Sequence, residues 1–155
     1  MSASERLAAL GLSLPPVATP VGSYVPALVE GSTVWTSGQI PLADGVLVAT
    51  GSVGERDGDV SPEVARACAR VATLNALAAI ADACGGLDRV ERIVRVVGYV
   101  ASAPGFTAQP TVVNGASDLL VEIFGDAGRH ARSAVGVAAL PLGAPVEIEI
   151  EARIR

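Results

Sequence analysis

The sequence predicts one α+β domain, with a single mixed β-sheet and two helices packed on one of its faces. Three observations predict it. The chain has 155 residues, the length of one ordinary domain, which buries roughly 70% of the surface its unfolded chain exposes. Strand-like and helix-like segments follow one another in the order ββ(β)αβαββ, so both long helices fall between strands and cover one sheet face. No segment repeats and no low-complexity tail interrupts the pattern, so residues 1–155 form one unit.

The elements follow in order. Residues 4–10 read as a short helix with Ser4 as N-cap and Gly11 as its stop, inside an N-terminal extension over residues 1–20 that ends in an extended, proline-rich stretch. Strands are expected at 24–29 and 33–39, separated by the turn Glu30-Gly31-Ser32. Asp44-Gly45 is a hairpin signal before a strand at 46–50. Residues 51–60 are a polar, glycine-rich loop. Ser61-Pro62-Glu63 combines a cap, a proline at the first helical position and an acid in the first turn. Val64, Ala67, Val71, Leu74, Ala78 and Ala81 then mark one helical face, and Gly85-Gly86 ends it. Residues 90–100 are rich in β-branched side chains and read as a long strand. Pro110 opens a second helix with Val113, Ala116, Leu120 and Ile123 on one face. Strands at 132–138 and 145–153, expected to pair with each other, close the domain.

Composition narrows the function. Half of the residues are hydrophobic and 17% are charged. No apolar run is expected to reach the ~18 residues a membrane helix needs, and the start lacks the basic and apolar regions of a signal peptide. The excess apolar surface is expected in a subunit interface. A net charge of −5 argues against nucleic acid, whose non-specific binding needs basic patches. There is no lysine, which excludes Schiff-base, P-loop and Lys-dyad chemistry. Cys68 and Cys84 stand sixteen positions apart in one helix with a single histidine in the chain, so they read as two buried thiols, not a zinc set. Free thiols suit a reducing cytoplasm.

The side-chain chemistry gathers at the C-terminal end. In the last strand Glu147, Glu149 and Glu151 point to one side while Ile148 and Ile150 point to the other. Three like charges in a row repel, so at least one is expected to have a partner. Arg132 stands among small and apolar residues, where a guanidinium needs a counter-charge. The residues alone leave two readings of equal standing: a salt bridge within the subunit, or a ligand site. In the second, Arg132 grips a carboxylate through two parallel hydrogen bonds and a nearby glutamate holds or deprotonates a water.

Other candidates are weaker. Ser37 could donate to a ligand and Gly38 could let one approach the backbone, or the pair forms a bulged turn. A serine nucleophile lacks a base and a GxSxG frame. His130 reads as a solvent-facing loop residue. The segment 51–54 is too short for a P-loop, and Asp57-Gly58-Asp59 lacks the later glycine and glutamate of a calcium loop. Trp35 reads as core or interface. Asn75 and Asn114 are polar residues inside helices that need partners, and Asn114 could tie its helix to the loop before Arg132.

Taken together, Gly22-Ser23-Tyr24-Val25, Thr36-Ser37-Gly38-Gln39-Ile40-Pro41, Val113-Asn114, Ala131-Arg132-Ser133, Leu140-Pro141 and Val146-Glu147-Ile148-Glu149 make a specific set. With them the chain resembles the RidA/YjgF family, older members of which were called L-PSP endoribonucleases. The resemblance runs from about residue 20 to the end. It implies a chorismate-mutase-like fold and a homotrimer, with three sheets forming an inner barrel and clefts between subunits. It also implies hydrolysis of reactive imines and enamines to 2-oxo acids and ammonia, without a cofactor. In that scheme Arg132 binds the carboxylate, Glu147 positions the attacking water, and Tyr24, Ser37, Gly38 and Asn114 line the cleft. The partner is then a small carboxylate-bearing metabolite, and a non-catalytic trimer binding such metabolites is the alternative. The family often has a cysteine two residues after the arginine and Phe-Pro before Ala-Arg. Here Ala134 and Arg129-His130 stand there, which marks a longer and distinct subgroup.

Overall fold

The computed structural model describes residues 1–155. Helix α1 spans Ala3–Ala9, α2 Pro62–Cys84 and α3 Gln109–Phe124. The strands are β1 Ala27–Glu30, β2 Thr33–Thr36, β3 Leu42–Ala43, β4 Val46–Leu47, β5 Val90–Ala101, β6 Ala131–Val137 and β7 Val146–Ile154. Five of them form one sheet in the order β1-β2-β7-β5-β6. Only β5 and β6 run parallel, so the sheet is mixed, and helix α3 supplies the crossover between them.

Two expectations about pairing are corrected. The strands that carry Arg132 and Glu147 do not pair, because the twelve-residue β5 lies between them, bonded to β6 on one side and β7 on the other. Residues 46–50 do not join the sheet either. Val46–Leu47 pairs only with Leu42–Ala43, across a two-residue turn in which Asp44 (φ 51°) and Gly45 (φ 79°) are both left-handed, the turn Asp-Gly favours. This ribbon is held by α2 instead. Asn75, buried, donates from Nδ2 to the carbonyls of Ile40 and Leu42, each at 3.0 Å. Asn75→Ala leaves both carbonyls short of a partner, and stability should fall by roughly 2–3 kcal/mol, read as a lower urea midpoint at unchanged slope.

Element starts also moved for local reasons. Strand β1 begins at Ala27, not at 24, since Pro26 has no N–H to give a ladder. Helix α1 is capped by Ser2, not Ser4. Ser2 Oγ accepts from the Glu5 N–H while the Glu5 carboxylate accepts from the Ser2 N–H, a reciprocal capping box. The Ser4 N–H goes instead to Asp88 Oδ1 at 2.9 Å and holds that carboxyl below its usual value. With Leu7 buried in the core, the N-terminal segment is docked onto the domain.

Helix α2 starts as expected, with Ser61 Oγ accepting from the Val64 N–H, Pro62 next, and Gly85 left-handed (φ 86°) at its end. Its buried face is not the expected one. Val64 and Ala67 are exposed, whereas Ala65, Cys68, Ala69, Ala72, Ala76 and Ile80 are buried. A helix with alanine at nearly every turn has no strong phase of its own, and packing on the sheet and on α3 selects the face. By length and composition α2 could cross a membrane, contrary to the expectation that no segment reaches that length. Yet 61% of its most apolar window is buried in the fold, the place of a core helix. In α3 the expected face holds, with Val113, Ala116, Leu120 and Ile123 all buried.

All helices lie on one side of the sheet. The other side is uncovered and carries Leu28, Trp35 and Val135, which are 56%, 39% and 40% exposed. Val97, Tyr99 and the three glutamates of β7 share that side. The loop 51–60 is pinned to the end of β5: Val53 is fully buried, its N–H donates to the Ala101 carbonyl, and its own carbonyl accepts from the Ala103 N–H.

Candidate functional site

The expected site residues fall into two groups on opposite sides of the sheet. Arg132 lies opposite Val96 in the β5–β6 ladder, and Glu147 lies opposite Tyr99 in the β5–β7 ladder. Val96 faces the helices, and Tyr99, three residues on, faces the open side. A salt bridge between Arg132 and the glutamates within one chain is therefore ruled out by strand parity. None of the three glutamates is in an ion pair either: Arg153 pairs with Glu91, and Arg95, opposite Glu151 in the β5–β7 ladder, forms none. The expectation that repulsion would force a partner is corrected. Burial pushes the Glu147 carboxyl above its ordinary value, and neighbouring Glu149 adds to the shift. Burial likewise raises the Tyr99 phenol, with the charge of Glu149 next in importance.

The first group sits at the sheet edge. Strand β6 is outermost, and α3 lies over it. Arg132 Nη1 donates to Asn114 Oδ1 at 2.8 Å and to Ser117 Oγ at 3.1 Å, and Nη2 donates to the Pro110 carbonyl at 3.3 Å. Asn114 thus ties α3 to Arg132 itself and not to the loop before it. His130 does not face solvent as expected. Its ring is half-buried, with Nε2 2.9 Å from Ser117 Oγ and Nδ1 2.6 Å from the Gly128 carbonyl oxygen. Burial lowers the imidazole below its usual value, as does the charge of Arg132, against the Gly128 bond, so it is neutral at pH 7. Ser117 and the role of His130 were missed in the sequence. The signal existed: Asn114 and Ser117 are three apart on one helix face, and His130 and Arg132 are two apart on one side of an extended segment.

The second group forms around a bulge. The β2–β7 ladder pairs Trp35 with Glu151, whereas the next bridge joins Gln39 to Ile148. One extra residue is therefore accommodated in Ser37-Gly38, and Thr36 Oγ1 accepts the Ile150 N–H at 2.9 Å. The space left by the missing Cβ of Gly38 is filled by the Glu147 carboxylate, which a side chain at position 38 would overlap. Gly38 therefore admits the chain's own carboxylate. Ser37 Oγ donates to the Val25 carbonyl at 2.6 Å, so its proton is engaged within the chain. Tyr24, 49% exposed, lines a small apolar hollow of about 80 Å³ with Gly38, Gln39, Ile40 and Leu142.

The two groups differ in chemistry. One holds a guanidinium with only neutral acceptors around it, and the other holds a half-buried carboxylate beside an apolar hollow. A larger cleft of about 380 Å³ lies between the 51–60 loop and residues 103–108. It contains none of the expected residues, and Asp59 there is engaged by Arg56. Volume is a poorer guide here than chemistry.

A family model described as "YjgF/chorismate mutase-like, putative endoribonuclease" matches residues 4–152. Protein TCP17 of Trypanosoma cruzi is 43% identical over 152 residues, 95% of this chain and 93% of that one. A crystal structure from Shewanella oneidensis MR-1, carrying the same endoribonuclease description, superposes with a TM-score of 0.93 at 38% identity, over 99% of this chain and 100% of that one. The structure of Escherichia coli TdcF with bound serine superposes with a TM-score of 0.60 at 27% identity, over 92% of this chain and 94% of that one.

Proposed function

Because the chain belongs to the YjgF/chorismate mutase-like family, we propose that it hydrolyses small 2-imino acids and their enamine tautomers to 2-oxo acids and ammonia, in clefts shared between subunits of a homotrimer. The observation that carries the reading is the separation of Arg132 and Glu147 onto opposite faces of one sheet. A cleft completes when the β6–α3 edge of one copy meets the Gly38–Glu147 bulge of the next. Such a head-to-tail contact closes into a ring when the rotation allows it. The uncovered sheet face, with Leu28, Trp35 and Val135, supplies apolar area for that contact. The serine bound to TdcF supports a small amino-acid-like ligand. The free thiols of Cys68 and Cys84 fit a reducing, cytoplasmic setting.

The chemistry asks little of the protein. Arg132 holds the substrate carboxylate through a charge-assisted fork, and Tyr24 and Leu142 bound its side chain. Glu147 accepts a proton from a water as that water attacks the imine carbon. The carbinolamine so formed collapses when its nitrogen takes up a proton, and ammonia leaves as the carbonyl forms. The imine is already electrophilic, so orientation and one base suffice.

Mixing the pure protein with an amino-acid dehydratase and its substrate tests this. The 2-aminoacrylate released should disappear faster with the protein than without. An unchanged decay would sink the deaminase reading, and carboxylate binding without turnover would leave a metabolite-binding trimer. Light scattering behind size exclusion should give three copies; a monomer would remove the shared cleft.

Glu147 also links function to stability. Its carboxyl holds its proton to higher pH in the folded chain than in the unfolded one. That proton favours folding below the unfolded value of about 4.3, and the advantage is lost as pH rises through the folded value. Glu147→Gln should therefore raise the Tm at neutral pH while sharply lowering turnover, with the two Tm curves converging near pH 4. Scanning calorimetry across that range checks the sign.

A further inference from the structure

The hydrogen bonds around Arg132 form a chain whose direction follows by elimination. The Gly128 carbonyl oxygen carries no proton, and His130 Nδ1 lies 2.6 Å from it, so Nδ1 bears the ring proton. A neutral imidazole has only one. Nε2 is then an acceptor, and the Ser117 hydroxyl donates to it at 2.9 Å. The guanidinium has no lone pair to offer, so the Ser117 oxygen accepts from Arg132 Nη1 at 3.1 Å. The bonds run Arg132 to Ser117 to His130 to Gly128. Asn114 takes a second bond from the same Nη1 at 2.8 Å. No ion pair of the chain includes Arg132. Its Nε–H and one Nη2–H have no acceptor in the chain.

We propose that Ser117 and His130 are positioning residues that lock Arg132 by its Nη1 end, leaving its charge uncompensated and its Nε–Nη2 edge free for the carboxylate of an incoming ligand. The proposal rests on the carboxylate-binding reading of Arg132 given above. A carboxylate partner within the chain would also orient the guanidinium, but the ligand would then have to displace it. Neutral acceptors orient without neutralising. Ser117 can hold this place because its single proton is consumed by Nε2, which turns its oxygen toward Arg132. Burial of the ring keeps Nε2 free of a second proton, which would otherwise turn a donor against the hydroxyl.

His130 is the only histidine, so the ¹⁵N–¹H imidazole spectrum of the full, untagged chain reports one ring. At pH 7.5 the intact protein should show the Nδ1–H tautomer. Ser117→Ala should mix the tautomers and weaken binding of pyruvate, used as the 2-oxo-acid probe, roughly tenfold by calorimetry. Ser117→Thr, which keeps the hydroxyl, should restore both. An Nε2–H or charged ring in the intact protein overturns the proposal. So does Ser117→Ala binding pyruvate within twofold of the intact protein while Arg132→Ala fails to bind it. Pyruvate that fails to bind the intact protein at all sinks the carboxylate reading of Arg132, and the proposal with it.

Discussion

Arg132→Ala and Glu147→Gln should each lower kcat/KM for 2-aminoacrylate about 100-fold or more, and mixing the two inactive variants should bring activity back. The recovery comes from the sheet. Strand parity puts the two side chains on opposite faces of one chain, with β5 between their strands. A working cleft then needs Arg132 from one copy and Glu147 from its neighbour. When the variants are denatured together at equal amounts and refolded, about a quarter of all clefts combine an intact Arg132 with an intact Glu147. Recovery near that fraction in the dehydratase-coupled assay supports the shared cleft. Two variants that stay inactive together, each folded and trimeric, would show that the residues do not meet across an interface. Arg132→Lys should not substitute, since an ammonium has neither the fork for a carboxylate nor the reach to Asn114 and Ser117 together.

Gly115→Ala should destabilise the fold by roughly 2–3 kcal/mol and lower the Tm by about 5–10 °C. Helix propensity alone predicts the opposite, a gain of about 1 kcal/mol. The sign is decided by where α3 crosses α2. A Cβ at position 115 would overlap the Arg66 carbonyl oxygen, a backbone atom that cannot swing aside. The helices would have to part, loosening the packing around Val112, Ala116, Ala65 and Ala69. The flanking ion pairs, Arg66 with Asp118 and Arg70 with Glu122 at 2.8 Å, are half-exposed and too weak to hold the contact closed. A Tm equal to or above that of the parent chain would show that the crossing tolerates the methyl group.

Local signals were legible where a single residue dictates backbone geometry. Ser61-Pro62 starts α2, Gly85 stops it, and Asp44-Gly45 turns a hairpin, each as the sequence indicates. The alternation of β7 was equally plain, since Ile148 and Ile150 are buried while Glu147, Glu149 and Glu151 face the open side. The face of α2 was not legible, because alanines at nearly every turn leave the hydrophobic pattern without a phase. The N-cap of α1 was misplaced by two residues because both Ser2 and Ser4 can cap, and only the reciprocal bond of Glu5 distinguishes them. In the site, the structure places Arg132 beside Asn114 and Gly38 beside Glu147, on opposite sides of the sheet, a grouping the sequence does not indicate. Ser37 spends its proton on Val25, and His130 turns inward to Ser117.

The amino-acid sequence by itself determined the α+β class, the order of the long elements, the absence of lysine chemistry, and the facing of every residue along β7. These follow from side-chain periodicity and from residues with restricted or permissive backbones, which act over a few positions. Only the tertiary structure decided that β5 separates the strands of Arg132 and Glu147, that a bulge at Gly38 receives the Glu147 carboxylate, and that Arg132 is held by neutral acceptors on α3. Strand neighbours are chosen by which apolar faces bury most area together, a long-range competition that no local pattern encodes.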